Sequence, residues 1–260
     1  MVPPARFERT TRGLGNRCSI HLSYGGAHTN TRGPDGVRLR ATNVPRESLS
    51  CDPMEGLPDT TAVLVLAGGE GRRMGGAKAW LAWRGRPLLL EVLERLEPLA
   101  PGAVWVVAAP EQDLPAGAYR RADDEDPGAG PLAGLAAGLA AIAAGGLAGR
   151  VAVSACDYPF ADPRTFRALA AADPVAPLVL PRWDGHLHPL QALWHTRLAE
   201  SCRAALARGE RRVRPVVEAA GATVVDAESL PGGIDPERAL LNLNNRESLA
   251  RARHLADAAG

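Results

Sequence analysis

The sequence predicts an α/β fold: a doubly wound, mostly parallel sheet with a hairpin-containing part towards the C-terminus. Three observations predict it. Short apolar runs alternate with segments of helical period from residue 62 to residue 180. The first run, Ala62 to Ala67, is unbroken by any polar residue, the pattern of a parallel strand buried on both faces. Charged residues then recur on the loops that follow the runs, where such sheets place their ligands.

The first strand breaks into Gly68-Gly69-Glu70-Gly71-Arg72-Arg73-Met74-Gly75-Gly76-Ala77-Lys78, with five glycines in the nine residues 68–76. Glycine lets backbone amides turn inward and approach a ligand closely. Fixed cations beside such a loop imply an anion, most economically a polyphosphate. Of the 30 basic residues 29 are arginine, and Lys78 is the only lysine in the chain. An ammonium is a compact point charge that a planar guanidinium does not replace in a tight site.

The remaining elements follow in order. Ala79 to Trp83 and Gly85-Arg86-Pro87 lead into a helix with Pro87 at its first position and Leu89, Val92, Leu93 and Leu96 on its apolar face; Pro98 and Pro101 end it. Val104 to Ala108 is a second buried strand, Pro110 to Gly117 a loop, and Ala118 to Ala122 a short third strand. The acidic turn Asp123 to Asp126 and a Gly/Pro turn open a helix whose apolar face is Leu132, Leu135, Leu139 and Ile142. Gly134 and Gly138 on it suit close backbone packing, and Gly145-Gly146 is its stop.

Val151 to Ala155 is a fourth strand, ending at Cys156-Asp157-Tyr158-Pro159. Asp162 and Pro163 cap and open the next helix. Ala176 to Leu180 reads as a strand, Trp183 to His188 as a hairpin-like turn, and Pro189 to Trp194 as the returning strand. Helices over Thr196–Arg208 and Arg211–Ala220 stop at Gly209 and Gly221; Pro215 falls in the first turn of the second. A late strand, Ala222 to Val225, the polar–apolar segment Leu241 to Asn245 and a closing helix, Arg246 to Ala258, complete the chain.

Composition limits the partners. A net charge of +1 gives no argument for a nucleic acid or a membrane surface, and 4% aromatics supply no stacking platform for single strands. No apolar run reaches the roughly 18 residues of a membrane span. The four cysteines, Cys18, Cys51, Cys156 and Cys202, form no Cys-x-x-Cys pair, so no zinc site or redox motif is indicated. A reduced cytoplasm is the expected compartment, and no export signal is read. Residues 1–60 carry no sustained apolar period and are expected to be a disordered or dispensable extension, with Met54 as an alternative start; residues 61–258 are expected to form a single domain.

Lys78 after the first strand, Asp124 or its neighbour Asp123 after the third, and Asp157 after the fourth fall on loops that converge on one sheet edge. Magnesium takes one or two carboxylates together with phosphate oxygens and water, so a polyphosphate on the loop and Mg2+ on Asp157 make one coherent site. The loop is not a P-loop, because it holds no Gly-Lys followed by Ser or Thr, nor does it carry Gly-x-Gly-x-x-Gly. Nucleoside triphosphate chemistry of another lineage remains. Each residue also has a purely structural reading: Arg73 solvated, His188 a turn residue, Asn242 and Asn244 satisfying a turn by Asx bonding, Cys156 a small buried residue, Trp80 and Trp83 packed. His186 and His188 lack a third partner at metal spacing.

Leu66-Ala67-Gly68-Gly69-x-x-Arg72-Arg73-Met74-Gly75-Gly76-x-Lys78 resembles the signature of the nucleotidyltransferases that act on nucleoside triphosphates. Gly130-Pro131-Leu132-Ala133-Gly134-Leu135, Cys156-Asp157-Tyr158-Pro159-Phe160 and His188-Pro189-Leu190 also match. Gly209-Glu210-Arg211-Arg212-Val213 and Asn242-Leu243-Asn244-Asn245-Arg246-Glu247-Ser248-Leu249 favour the molybdenum cofactor guanylyltransferase branch, over residues 60 to 255. The resemblance implies a Rossmann-like nucleotidyltransferase domain that joins GTP to molybdopterin with magnesium. It places Leu66, Ala67 and Gly68 along the nucleotide, Lys78 on its phosphates, Asp124 as a second nucleotide contact and Asp157 on the metal; Gly69 is expected beside Gly68, and Arg72 or Arg73, with Arg73 the chosen candidate, is expected to add a cation at the phosphates. It places His188, Asn242 and Asn244 on the pterin side, and implies transient contact with cofactor-delivery or acceptor proteins. Two departures stand out: Ala77 where the family has Asp before the lysine, and Ala108-Ala109-Pro110 where it often has Asn after the second strand. A cytidylyl or sugar-phosphate nucleotidyltransferase, or a nucleotide-binding homologue without turnover, are the alternatives.

Overall fold

The structure, a computed structural model, describes residues 29–32, 38–41, 60–68 and 78–258. Strands β1 (Thr29–Arg32) and β2 (Arg38–Ala41) form an antiparallel hairpin, described by its backbone alone. The remainder of residues 1–59, with Cys18, Cys51 and Met54, lies outside the described residues. Strand β3 (Thr60–Leu66) follows, with Ala62 to Val65 fully buried.

After Lys78 a single 3-10 turn, Lys78–Trp80, leads to a small hairpin of β4 (Ala82–Trp83) and β5 (Arg86–Pro87), which the sequence did not suggest. Helix α1 spans Leu88–Leu96. Pro87 is therefore not its first residue. Its ψ of 135° is extended, because it pairs with Ala82, and the Leu88 amide is taken by the Leu81 carbonyl. Strands β6 (Val104–Ala108) and β7 (Arg120–Asp123) precede α2 (Pro131–Ala144), β8 (Arg150–Ala155) and α3 (Pro163–Ala172), whose N-cap Asp162 accepts the Arg164 amide.

Strand β9 (Leu178–Trp183) turns through Asp184-Gly185 into β10 (His186–Leu187), and β11 (Ala192–His195) returns beside β9. Both long strands are shifted from the positions the sequence suggests. Pro177 and Pro189 stay outside the ladder, each lending only a carbonyl, to the His195 amide and the Trp194 indole, whereas Pro181 sits within β9 in register with Val225. Helices α4 (Ala199–Ala207) and α5 (Arg214–Ala219), strand β12 (Thr223–Asp226), the short α6 (Pro236–Ala239), not expected from the sequence, and α7 (Arg246–Asp257) complete the chain.

Ten strands form one sheet, in the order β1-β2-β12-β9-β11-β8-β3-β6-β7, with β10 beside β9. β3 lies parallel to β6 and β8, β6 parallel to β7, and β12 parallel to β9 and β2; only β11, β10 and β1 run against their neighbours. The doubly wound, mostly parallel α/β fold is thus as the alternation of elements indicates. The consequence for the site is directional: β3, β6, β7, β8, β9 and β12 all end on the same edge.

Leu132, Leu135, Leu139 and Ile142 of α2 are buried at 0% exposure, which confirms the helical face read from their spacing. The two glycines on α2 differ. A Cβ at Gly138 would stand 2.5 Å from Leu64 Cδ2, in the middle of the buried sheet, whereas one at Gly134 would meet nothing nearer than 3.5 Å. Gly138→Ala should therefore destabilise the fold by about 1 kcal/mol, an overpacking cost of about 1–3 kcal/mol less about 1 kcal/mol of helix propensity. Gly134→Ala should leave the melting temperature unchanged or raised, so paired thermal melts check the difference.

A second cluster joins Trp83, Leu88, Phe160, Leu243, Ala252 and Ala256, with Trp83 and Phe160 edge to face at 5.5 Å and 82°. It ties the segment after β8 to the crossing segment before α7.

Candidate active site

The glycine-rich loop starts from a pinned stem. Cys156 on one side donates its amide to the Leu66 carbonyl, and the Ala67 amide on the other donates to Val107, each at 2.9 Å. Leu66 and Ala67 are buried and Gly68 is exposed, at the carboxyl end of β3. Gly69 to Ala77, and with them Arg72, Arg73 and Ala77, lie outside the described residues.

The chain re-enters at Lys78, and its ammonium is the centre of the site. Lys78 Nζ donates to Asp157 Oδ2 at 2.8 Å and to Asn244 Oδ1 at 3.4 Å. Asn244 Nδ2 in turn donates to Asn242 Oδ1 at 2.9 Å. Three segments far apart in sequence thus meet on the only lysine. The ion pair is mostly covered, with 18% and 14% of the two side chains exposed.

Backbone bonds explain why the asparagines arrive there. The Leu243 amide donates to the Asp157 carbonyl at 2.8 Å, which draws residues 242–244 onto the end of β8. The cap of α7 is Asn245, in a reciprocal capping box with Ser248. The side chains of Asn242 and Asn244 are consequently free of capping duty: Asn244 meets Lys78 and Asn242, and Asn242 meets Asn244 and Tyr158. Tyr158 is hydrogen-bonded to the Asn242 side chain; burial, with the Asp157 charge acting the same way, raises its pKa and keeps the hydroxyl protonated.

Asp157 Oδ1 is buried and accepts no hydrogen bond. A buried carboxylate oxygen without a donor is costly to leave so, and it fits a divalent cation. Among the described residues there is no cluster of three or more His, Cys, Asp or Glu side chains. A cation on Asp157 would therefore complete its shell from phosphate and water.

Asp124 is not part of this cluster. It stands at the end of β7, three strand spacings from β8, which is roughly 14 Å along the edge. Its Oδ1 accepts the Asp126 amide at 3.1 Å. Burial raises its pKa, opposed by that amide bond. Between Asp124 and Asp157 along the sheet edge lies the stem of the glycine-rich loop.

His188 follows β10, which pairs with β9 on the same side as β11, so it stands in the row of β11, one strand spacing of roughly 5 Å from β8 and on the opposite side of it from β3. It is held as a turn residue, its amide on the Pro181 carbonyl and its own carbonyl taken by Gln191, both at 3.0 Å. Its Nε2 is buried without a partner, and burial, then the His186 charge, bring its pKa down to about 4. The folded state thus favours neutral His188. Its contribution to stability is present above the ordinary pKa of 6.5 and is lost as pH falls towards 4. Urea midpoints measured across that window should fall with pH, and less so in His188→Asn.

Of the two tryptophans expected to pack, only Trp83 does so; Trp80 is 46% exposed. Cys156 is fully buried beside Asp157 and its thiol is pushed up to about 12, so it is an inert small residue. Sequence reasoning missed Gln112, whose Nε2 donates to the Ala67 carbonyl at 2.8 Å. The available signal was one amide side chain in the loop after the second strand.

Residues 63–224 match the model of the MobA-like NTP transferase domain. The chain is 39% identical over 204 residues to a probable molybdenum cofactor guanylyltransferase of Mycolicibacterium paratuberculosis, covering 74% of this chain and 96% of that one. It is 39% identical over 198 residues to the molybdenum cofactor guanylyltransferase of Cereibacter sphaeroides, covering 74% and 95%. Among solved structures, molybdopterin-guanine dinucleotide biosynthesis protein A of Archaeoglobus fulgidus matches with a TM-score of 0.63 at 24% identity, over 76% of this chain and 100% of that one. The 2-C-methyl-D-erythritol 4-phosphate cytidylyltransferase of Thermus thermophilus matches with a TM-score of 0.53 at 20% identity, over 76% and 100%. The fold is therefore shared by proteins named for different bases, and fold alone does not select one.

Proposed function

We propose, for a chain that belongs to the MobA-like NTP transferase family, that it transfers GMP from GTP to molybdopterin, forming molybdopterin guanine dinucleotide and releasing pyrophosphate. The chain is a nucleotidyltransferase. The choice of substrates is carried by the 39% identity to relatives named for this reaction over at least 95% of their length. The meeting of Lys78, Asp157 and Asn244 at the foot of the glycine-rich loop supports it from the side of the chemistry.

The molybdopterin phosphate attacks the α-phosphorus of GTP in line. The new P–O bond forms as the bond to the bridging oxygen breaks, and pyrophosphate carries the electron pair away. A phosphate nucleophile is already ionised, so no protein base is needed, and catalysis reduces to positioning and charge stabilisation. Lys78 exchanges its bonds to Asp157 and Asn244 for phosphate oxygens and offsets their growing charge. Arg73 adds a second cation from the loop. Asp157, whose Oδ1 has no hydrogen-bond partner, would hold Mg2+. Magnesium, when bound, supplies a Lewis acid for the phosphate oxygens. Leu66, Ala67, Gly68, Gly69 and Asp124 line the nucleotide, and Asn242 and Asn244, with His188 further along the edge, take the pterin side.

No helix among the described residues is long and apolar enough to cross a membrane. A cytoplasmic location and transient contact with proteins that deliver or accept the cofactor belong to the same proposal. A panel of nucleoside triphosphates with molybdopterin and magnesium tests it. Pyrophosphate release should favour GTP by about tenfold or more over CTP, ATP and UTP. Equal or better release with CTP would identify a cytidylyltransferase, and GTP binding without release a non-catalytic homologue.

A further inference from the structure

We propose that Arg121 is a positioning residue for the nucleotide, acting through a strap formed by residues 109–113 that ties together the two stems of the glycine-rich loop. The inference rests on the reading that this loop takes GTP. Arg121 lies on β7, opposite Val106 of β6. Its Nε donates to Asp123 Oδ1 at 2.8 Å and its Nη1 to the Gln112 carbonyl at 2.9 Å. Its Nη2 donates to the carbonyls of Ala109 at 2.5 Å and Pro110 at 2.7 Å. The turn is closed on itself by the Gln112 amide, which donates to the Ala109 carbonyl at 2.9 Å. Three main-chain oxygens of one turn therefore rest on one guanidinium.

The strap then grips both stems. Gln112 Nε2 donates to the Ala67 carbonyl at 2.8 Å, immediately before Gly68. That carbonyl only accepts, which sets the orientation of the amide. On the outgoing stem the Trp80 indole, two residues after Lys78, donates to the Asp113 carbonyl at 3.1 Å. One short turn thus fixes where the chain enters and where it leaves the segment between Gly68 and Lys78. An exposed Arg–Asp pair alone would contribute little. What distinguishes Arg121 is a fork of donors that a lysine, a point donor, does not reproduce.

A residue that sets the spacing of the stems supports ground state and transition state alike, so its loss should raise KM more than it lowers kcat. Arg121→Ala should raise KM for GTP about tenfold, leave kcat within about twofold and leave KM for molybdopterin unchanged. Arg121→Lys should not rescue it, and Gln112→Ala should act in the same direction. The double variant should be less than additive, because both act through one strap. The experiment pairs these kinetics with equilibrium dialysis of GTP alone, on the full chain. An unchanged KM and Kd for GTP in folded Arg121→Ala overturns the inference, as does a parallel fall in kcat and in affinity for both substrates. A wild type that binds GTP but releases no pyrophosphate overturns the functional reading alone. The strap is then judged by Kd, which should rise about tenfold in Arg121→Ala.

Discussion

Replacing Lys78 with alanine is expected to lower kcat for guanylyl transfer by about 10²-fold or more, the cost of removing one preorganised charge contact. Two effects act together. The phosphates lose a cation held 2.8 Å from Asp157 at the mouth of the loop. The Asp157 carboxylate, 14% exposed, loses the ammonium that holds it in place before the nucleotide and cation bind. Lys78→Arg should recover only a small part of the rate, because a planar guanidinium does not fit where one ammonium joins Asp157 and Asn244. The fold should survive, since Lys78 sits in a single 3-10 turn outside the sheet. Pyrophosphate release at saturating GTP, with circular dichroism to verify folding, checks both variants.

Asp157→Asn is expected to cost a similar 10² or more in kcat, through the other half of the pair. Asparagine keeps the size of the side chain and leaves the Asp157 main-chain carbonyl available to Leu243, so the local fold is preserved. What disappears is the negative charge that pairs with Lys78, and the unpartnered Oδ1 that fits a cation. The variant should also need more magnesium for its residual turnover, because an amide oxygen is a weaker ligand for a hard cation than a carboxylate. Magnesium titrations of wild type and variant measure this directly. Full turnover with an unaltered magnesium dependence would remove Asp157 from the metal site.

Much of this arrangement was legible in the chain, for identifiable reasons. Buried parallel strands announce themselves as unbroken apolar runs, and β3, β6 and β8 fall within a residue or two of where those runs lie. Asp157 was legible because charge at a strand's carboxyl end has few structural reasons to be there, and Lys78 because it is the only lysine of the chain and follows a glycine-rich loop. The elements that were displaced or missed are short or edge-like: β4, β5 and α6 have two to four residues each, too few for a period to register. The convergence of Asn244 on Lys78 spans 166 residues and depends on one backbone bond, Leu243 to Asp157. No local pattern encodes it. Gln112 and Arg121 were overlooked for the opposite reason, since apart from Asp123 their side chains bond to main-chain carbonyls, which every sequence supplies.

The identity of the transferred base is measured by a competition. The full chain is given molybdopterin, magnesium and an equimolar mixture of the four nucleoside triphosphates, and the dinucleotide product is identified by mass. Molybdopterin guanine dinucleotide is expected as the dominant product, formed in step with pyrophosphate. A cytosine dinucleotide, or bound GTP with no dinucleotide at all, would contradict this.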